Sequence, residues 1–153
     1  MTADARPEQG APGPLSAEEL GALLLRNPMH RWLGLEVVAA DADGCEILAR
    51  PPEDIVINPE RGHVHGGILA TLVDTTADYA LAARFGRPFP TIDMRVDYHR
   101  AAPPGGLRAV GTILRAGGTL STAEARIYAM DGTLCASGRG VYFTAGAKAA
   151  PKG

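Results

Sequence analysis

His65-Gly-Gly-Ile-Leu-Ala-Thr-Leu-Val-Asp-Thr-Thr-Ala-Asp-Tyr-Ala-Leu-Ala-Ala-Arg-Phe85 is the stretch that decides the fold. A His-Gly-Gly turn opens directly into a long helix. Its apolar residues Ile68, Leu69, Leu72, Val73, Ala77, Tyr79, Ala80 and Leu81 spread over much of the circumference. A helix apolar nearly all round lies inside a protein. Asp74 sits near its middle, where a carboxylate is costly unless it is paired, solvated in a cleft or used. Gly86 and Pro88 end the helix.

Downstream come four strand-like runs. Pro90 to Ala101 alternates, with Ile92, Met94, Val96 and Tyr98 on one face and Thr91, Asp93, Arg95, Asp97 and His99 on the other. Pro103-Pro-Gly-Gly106 is a turn, and Leu107 to Arg115, Thr119 to Ala129 and Thr133 to Thr144 follow. Gly117-Gly118 and Met130-Asp-Gly132 separate these runs. Upstream, Leu35 to Ala40 and Cys45 to Arg50 flank Asp41-Ala-Asp-Gly44, a hairpin signal. Pro51 to Val64 carries three prolines and little periodicity, and reads as a loop without structure of its own; long loops in a compact domain are often functional. Before the hairpin, Ser16 with Glu19 makes a capping box for a helix from Ala17 to Arg26 that buries Leu20, Leu23 and Leu24. Asn27-Pro28 stops it, and Met29, Trp32 and Leu33 form an apolar knot over one end of the core.

The expected order is helix, two strands, long helix, four strands. Tight turns make the sheet antiparallel, and its one buried face needs the long apolar helix as partner. The fold class is therefore α+β, a curved antiparallel sheet wrapped around one central helix. An exposed sheet edge invites pairing with a second copy, and Pro90 to Ala101 is the candidate edge. Residues 1–14 are expected to be disordered, 15–145 to form one domain and 146–153 to be a flexible tail.

The 153 residues suit one domain, and 46% hydrophobic with 21% charged residues is ordinary for a soluble protein. A net charge of −2 without blocks of like charge argues against nucleic acid or an anionic membrane as partner. The N-terminus has no apolar core of a secretory signal, and Asp74 and Asp78 interrupt the best candidate span. A soluble, cytoplasmic protein follows as the expectation. Cys45 and Cys135 stand far apart outside any paired motif, so two reduced thiols are expected.

Free N–H groups at a helix start bind an oxyanion or polarise a carbonyl, and Gly66 and Gly67 leave room for a substrate to approach them. Asp74 lies nine residues after His65, too far along at ~1.5 Å per residue to reach its own helix start. If it acts on a carbonyl held there, the two groups come from different subunits. Thr71, Thr75 and Asp78 could approach the Asp74 face, and Asp78 at i+4 is a like charge that disfavours ionisation. His63-Val-His65 lacks clear further ligands, so no metal is expected. Neither a Gly-x-Ser-x-Gly elbow nor a phosphate-cradling loop is present.

The run Asn58, Gly62-His-Val-His65-Gly-Gly67 and Asp74 resembles the hotdog-fold acyl-CoA thioesterases, in particular the phenylacetate-degradation (PaaI-like) branch. Pro90 to Tyr98 and Ala136-Ser-Gly-Arg-Gly140 with Tyr142-Phe143 extend the likeness. The resemblance implies a hotdog fold and hydrolysis of a small, medium-chain or aromatic acyl-CoA to free acid and CoA. Gly67, with Gly66, would donate N–H to the thioester carbonyl. Asp74 of the neighbouring subunit would be nucleophile or general base. His65 and Asn58 would orient thioester and loop, and Thr91 would help position water. Thr75 and Asp78 are further substrate-side candidates, and Trp32 either covers the core or lines an acyl pocket. CoA is part of the substrate, no separate cofactor is implied, and a homodimer or homotetramer is expected. Two other activities fit the same fold. A non-catalytic acyl-CoA-binding module is one. The other is a hydratase or dehydratase, whose Asp-x-Asn-Pro-x-His context is matched here only by Asn58-Pro59.

Overall fold

The computed structural model describes residues 13–148. The expected disorder of 1–14 and the tail at 146–153 lie, except for their innermost residues, outside that range. Helix α1 (Ala17–Leu24) starts on the predicted capping box: Ser16 Oγ accepts from Glu19 N–H, and Glu19 Oε2 accepts from Ser16 N–H. A second helix, α2 (Pro28–Trp32), follows where only a stop is expected. The stop and the new start are the same residues, because Asn27 caps α2 and Pro28 occupies its first turn.

Strands β1 (Leu35–Ala40) and β2 (Gly44–Ala49) form the expected hairpin, closed by Asp41 Oδ1 accepting from the N–H groups of Asp43 and Gly44. The segment Pro51 to Val64 is not the unstructured loop its composition suggests. A 3-10 turn (Glu53–Ile55) leads into a two-stranded hairpin of β3 (Val56–Asn58) and β4 (His63–Val64). Asn58 makes the turn: its side chain accepts from Glu60 and Arg61 N–H, and its carbonyl accepts from Arg61 and Gly62 N–H. Strands of three and two residues are too short to show a period, which is why the pattern is silent there.

Helix α3 (Gly66–Phe85) is the central helix, and Gly86 at its end takes the left-handed conformation with φ 81°. Strands β5 (Thr91–Tyr98), β6 (Leu107–Arg115), β7 (Leu120–Ala129) and β8 (Leu134–Phe143) complete one six-stranded antiparallel sheet in the order β1-β2-β6-β7-β8-β5. Its concave face holds α3, which packs on β2, β5, β6, β7 and β8. Small residues allow the close approach: a Cβ on Gly111 of β6 would lie 2.5 Å from the Thr76 carbonyl oxygen. Ala109, Ala123, Ala125 and Ile127 line the same face and are fully buried. Both cysteines are free and buried.

Strand β5 is one edge of the sheet, as the sequence suggested, and β1 is the other. Its alternation breaks at the start, where the register with β8 shifts between Thr91 and Asp93. This bulge turns Thr91 toward α3 and leaves Ile92 59% exposed, the reverse of the faces read from simple alternation. None of the helices among the described residues is long and apolar enough to cross a membrane.

Candidate active site

Two parts of α3 carry the expected chemistry. At its start, His65 is the N-cap, and its Nδ1 accepts the Gly67 N–H at 2.9 Å. The imidazole is therefore present as a hydrogen-bond acceptor on the amide that the sequence nominated for a carbonyl oxygen. Gly66 is pinned from the other side. Tyr98 Oη donates to its carbonyl at 2.9 Å, and a Cβ on Gly66 would touch the Tyr98 ring at 3.4 Å. Thr71 Oγ1 donates to the Gly67 carbonyl, so the first turn is held on both flanks. Asn58 spends its side chain on the β3–β4 turn that delivers the chain to His65, whose own N–H bonds the Ile55 carbonyl.

Asp74 stands two turns further on, about 10 Å along the axis from Gly67 at ~1.5 Å per residue. It is half-buried. Its Oδ1 accepts from Thr91 Oγ1 at 2.9 Å and from Tyr142 Oη at 3.2 Å, and the same phenol reaches the Asp74 carbonyl at 3.1 Å. Two hydroxyl donors on one oxygen fix the carboxylate plane and leave the other oxygen to face outward. Tyr142 is completely buried, and burial with the Asp74 charge beside it raises its pKa, so it stays a proton donor. Gly140 makes room for it, since a Cβ there would collide with the Tyr142 ring.

Tyr142 is the residue that sequence reasoning missed. Its strand was recognised, but the inward tilt of a tyrosine two residues after a glycine has no signature in a pattern of alternating polarity. Thr91 joins Asp74 only because of the β5 bulge.

Asp78, expected as a substrate-side residue, is half-buried and engaged by the turn that follows α3. Its Oδ1 accepts the Phe89 N–H at 2.8 Å and so ties the turn after α3 to the helix. Burial is the main reason its pKa is pushed up to about 7; the Phe89 N–H opposes this and the Asp74 charge adds to it. Phe89 is buried edge-on against Phe85, with the Arg87 guanidinium stacked over its ring. Asp78 thereby anchors the chain at Phe89, two residues before β5 begins at Thr91. Thr75 is half-buried beside Asp74, with its side chain outside the hydrogen-bond network just described. The Cys45 thiol is pushed up to about 12 by burial, reinforced by the charges of Asp41 and Asp78, which makes it a poor nucleophile.

The helix start borders a hollow of about 440 Å³ between α2 and β3. Among the arginines, Arg84 lies near Asp43, Arg87 covers Phe89, and Arg108 lies between Glu46 and the Tyr128 ring. Arg100 and Arg139 are exposed.

Comparison with known proteins identifies the family and the fold. The model of the thioesterase superfamily matches residues 61–136, which hold both the helix start and Asp74. A thioesterase-superfamily protein of known X-ray structure is 46% identical, with a TM-score of 0.81 over 83% of this chain and 96% of that one. The chain belongs to the thioesterase superfamily, and its sheet and helix are the hotdog fold of that family. Among named relatives, an esterase of Halobacterium salinarum is 38% identical over 61% of this chain, and the match spans 64% of the esterase's own length. The medium/long-chain acyl-CoA thioesterase YigI of Salmonella typhimurium is 27% identical over 75% of this chain and 84% of its own. The E. coli PaaI protein of the phenylacetic acid degradation operon shares the fold, with a TM-score of 0.74 over 88% of this chain and 99% of PaaI, at 18% identity.

Proposed function

We propose that this protein hydrolyses acyl-CoA thioesters, with Asp74 as the reacting carboxylate and the start of α3 as the carbonyl site. The observation that carries the proposal is the Asp74 carboxylate. It is half-buried on an otherwise apolar helix and locked by Thr91 and Tyr142 through one oxygen only. A carboxylate in that setting is expensive as structure and well placed as a base or nucleophile. YigI, with its acyl-CoA substrate, supports the substrate class.

As general base, the free oxygen of Asp74 takes a proton from water as that water attacks the thioester carbon. The carbonyl electron pair moves onto oxygen, where the N–H groups of Gly66 and Gly67 receive it. The His65 imidazole, now the acceptor on Gly67, marks the place that oxygen would take. Collapse expels the CoA thiolate, and Asp74 returns the proton to it. As nucleophile, Asp74 would attack directly and water would cleave the resulting anhydride. CoA enters as part of the substrate, and the chemistry needs no further cofactor.

The separation along α3 requires the helix start of one protomer to meet Asp74 of another. The open edge at β5, with Tyr98 56% exposed beside Gly66, supports a homodimer paired through this strand. Pairing of two such dimers gives the tetramer that the resemblance implies. No histidine follows Asn58-Pro59 at the spacing of the hydratases: Arg61 stands there, and its N–H closes the turn on the Asn58 carbonyl.

Thiol release from a panel of acyl-CoAs tests the proposal. Wild type should release CoA and Asp74→Ala should lose activity by at least about a hundredfold, on the scale of losing a key catalytic group. Equal release by both proteins would refute the role of Asp74. Tight binding without release by wild type would identify a binding module instead.

A further inference from the structure

We infer that Trp32 is the far wall of a site for an apolar acyl group of medium length, lying within one protomer between α2 and β3. This rests on the thioesterase proposal and specifies where the acyl group goes. The hollow of about 440 Å³ is lined by Trp32, Ile55, Val56 and Ile68, and it opens on His65 and Gly67. That volume falls in the range of small-molecule sites, and an apolar lining meeting a few polar groups at one end is their usual composition. The polar end is the carbonyl site; the apolar end is Trp32.

Trp32 is not an unanchored surface residue. Helix α2 is fixed by His30, whose Nδ1 bonds the Leu24 carbonyl at 2.8 Å and whose ring meets Tyr79 of α3 edge-on at 5.4 Å. Arg31 donates to the Leu25 and Arg26 carbonyls, and Leu33 is fully buried. The backbone on both sides of Trp32 is thus held down while its indole stays 49% exposed. An aromatic ring carried on an anchored helix at the apolar end of the hollow is a contact surface whose backbone is already ordered. Asp54 stands in the same lining. It repels acyl groups that end in a carboxylate, so the site takes neutral alkyl or aryl chains.

Trp32 is the only tryptophan of the chain, which gives a direct signal. Initial rates are measured on acetyl-, butyryl-, hexanoyl-, octanoyl-, phenylacetyl- and succinyl-CoA for wild type, Trp32→Ala and Trp32→Phe. Each methylene entering the hollow should raise kcat/KM about three- to fourfold. Trp32→Ala should lower the octanoyl-to-acetyl ratio by about tenfold or more. Trp32→Phe should restore most of that ratio, and succinyl-CoA should fall well below butyryl-CoA. Emission of wild type titrated with the non-hydrolysable thioether S-octyl-CoA should shift, and more strongly than with S-methyl-CoA. An unchanged chain-length profile in Trp32→Ala, or emission unmoved at saturating S-octyl-CoA, overturns the inference. Absence of thiol release from every substrate would refute the enzymatic proposal alone, because the thioether titration reads the pocket without turnover.

Discussion

Asp78 offers a quantitative test of the site's electrostatics through the substitution Asp78→Asn. The amide keeps an oxygen for the Phe89 N–H but carries no charge. In the folded protein the Asp78 pKa rises from the ordinary 3.8 to about 7, mainly through burial. About three units at ~1.36 kcal/mol each correspond to on the order of 4 kcal/mol. The sign is opposite to that of a salt-bridged aspartate. Below pH ~4 both folded and unfolded chains hold the proton, and Asp78 carries no charge cost. Between ~4 and ~7 the folded state binds more protons than the unfolded, so stability falls as pH rises. Above ~7 the full cost is present. The stability gap between Asp78→Asn and wild type should therefore widen by roughly 3 kcal/mol from pH 4.5 to 8.5, with the variant the more stable at high pH. Urea denaturation at fixed pH values, followed by circular dichroism, measures this gap. Taking the difference between two proteins cancels the titration of groups common to both. A gap that stays level across the range refutes the assignment of Asp78 as a buried, strained carboxylate. A wild type that gains on the variant with rising pH would mean that a cation partners Asp78.

Thr91→Val removes the 2.9 Å bond to Asp74 and should lower kcat about tenfold with KM little changed, since one such bond to a charged group is worth ~1.5–3 kcal/mol; steady-state kinetics on octanoyl-CoA decides it. Tyr142→Phe keeps the ring packed against Gly140 but withdraws the second donor, so kcat should fall by a similar factor while stability falls by only about 1 kcal/mol. Gly67→Ala places a Cβ 3.0 Å from His65 Nδ1 and should displace the imidazole from the N-cap. It should reduce kcat by about a hundredfold and stability by roughly 1 kcal/mol, read by thiol release and by urea denaturation. Arginine in place of Val96, a half-buried residue on the β5 edge, should shift the protein toward monomer in sedimentation and lower activity in parallel; full activity in a monomer would refute a site shared between subunits.

The sequence by itself determined the elements whose cause is local. The capping box at Ser16, the Asp41 turn, the left-handed Gly86 and the four downstream strands each follow from residues within a few positions of one another. The central role of α3 was also legible, because a helix with apolar residues all round has only one place to go. Asp74 stood out for the same reason, as the charge that such a helix should not carry. The tertiary structure decided what depends on residues far apart in the chain. Tyr142 reaches Asp74 across 68 positions, from a strand where Gly140 leaves the space for its ring. Thr91 meets Asp74 where β5 slips against β8, a register shift that neither strand encodes alone. Asp78 clasps the turn after α3 because Phe89 folds back onto it, so its environment is set by packing and not by its distance from the helix end. The short strands at Asn58 and His63 pair through a turn held by side-chain hydrogen bonds, which leave no periodic trace. Periodicity records which face of an element is buried; it does not record which neighbour is on the other side.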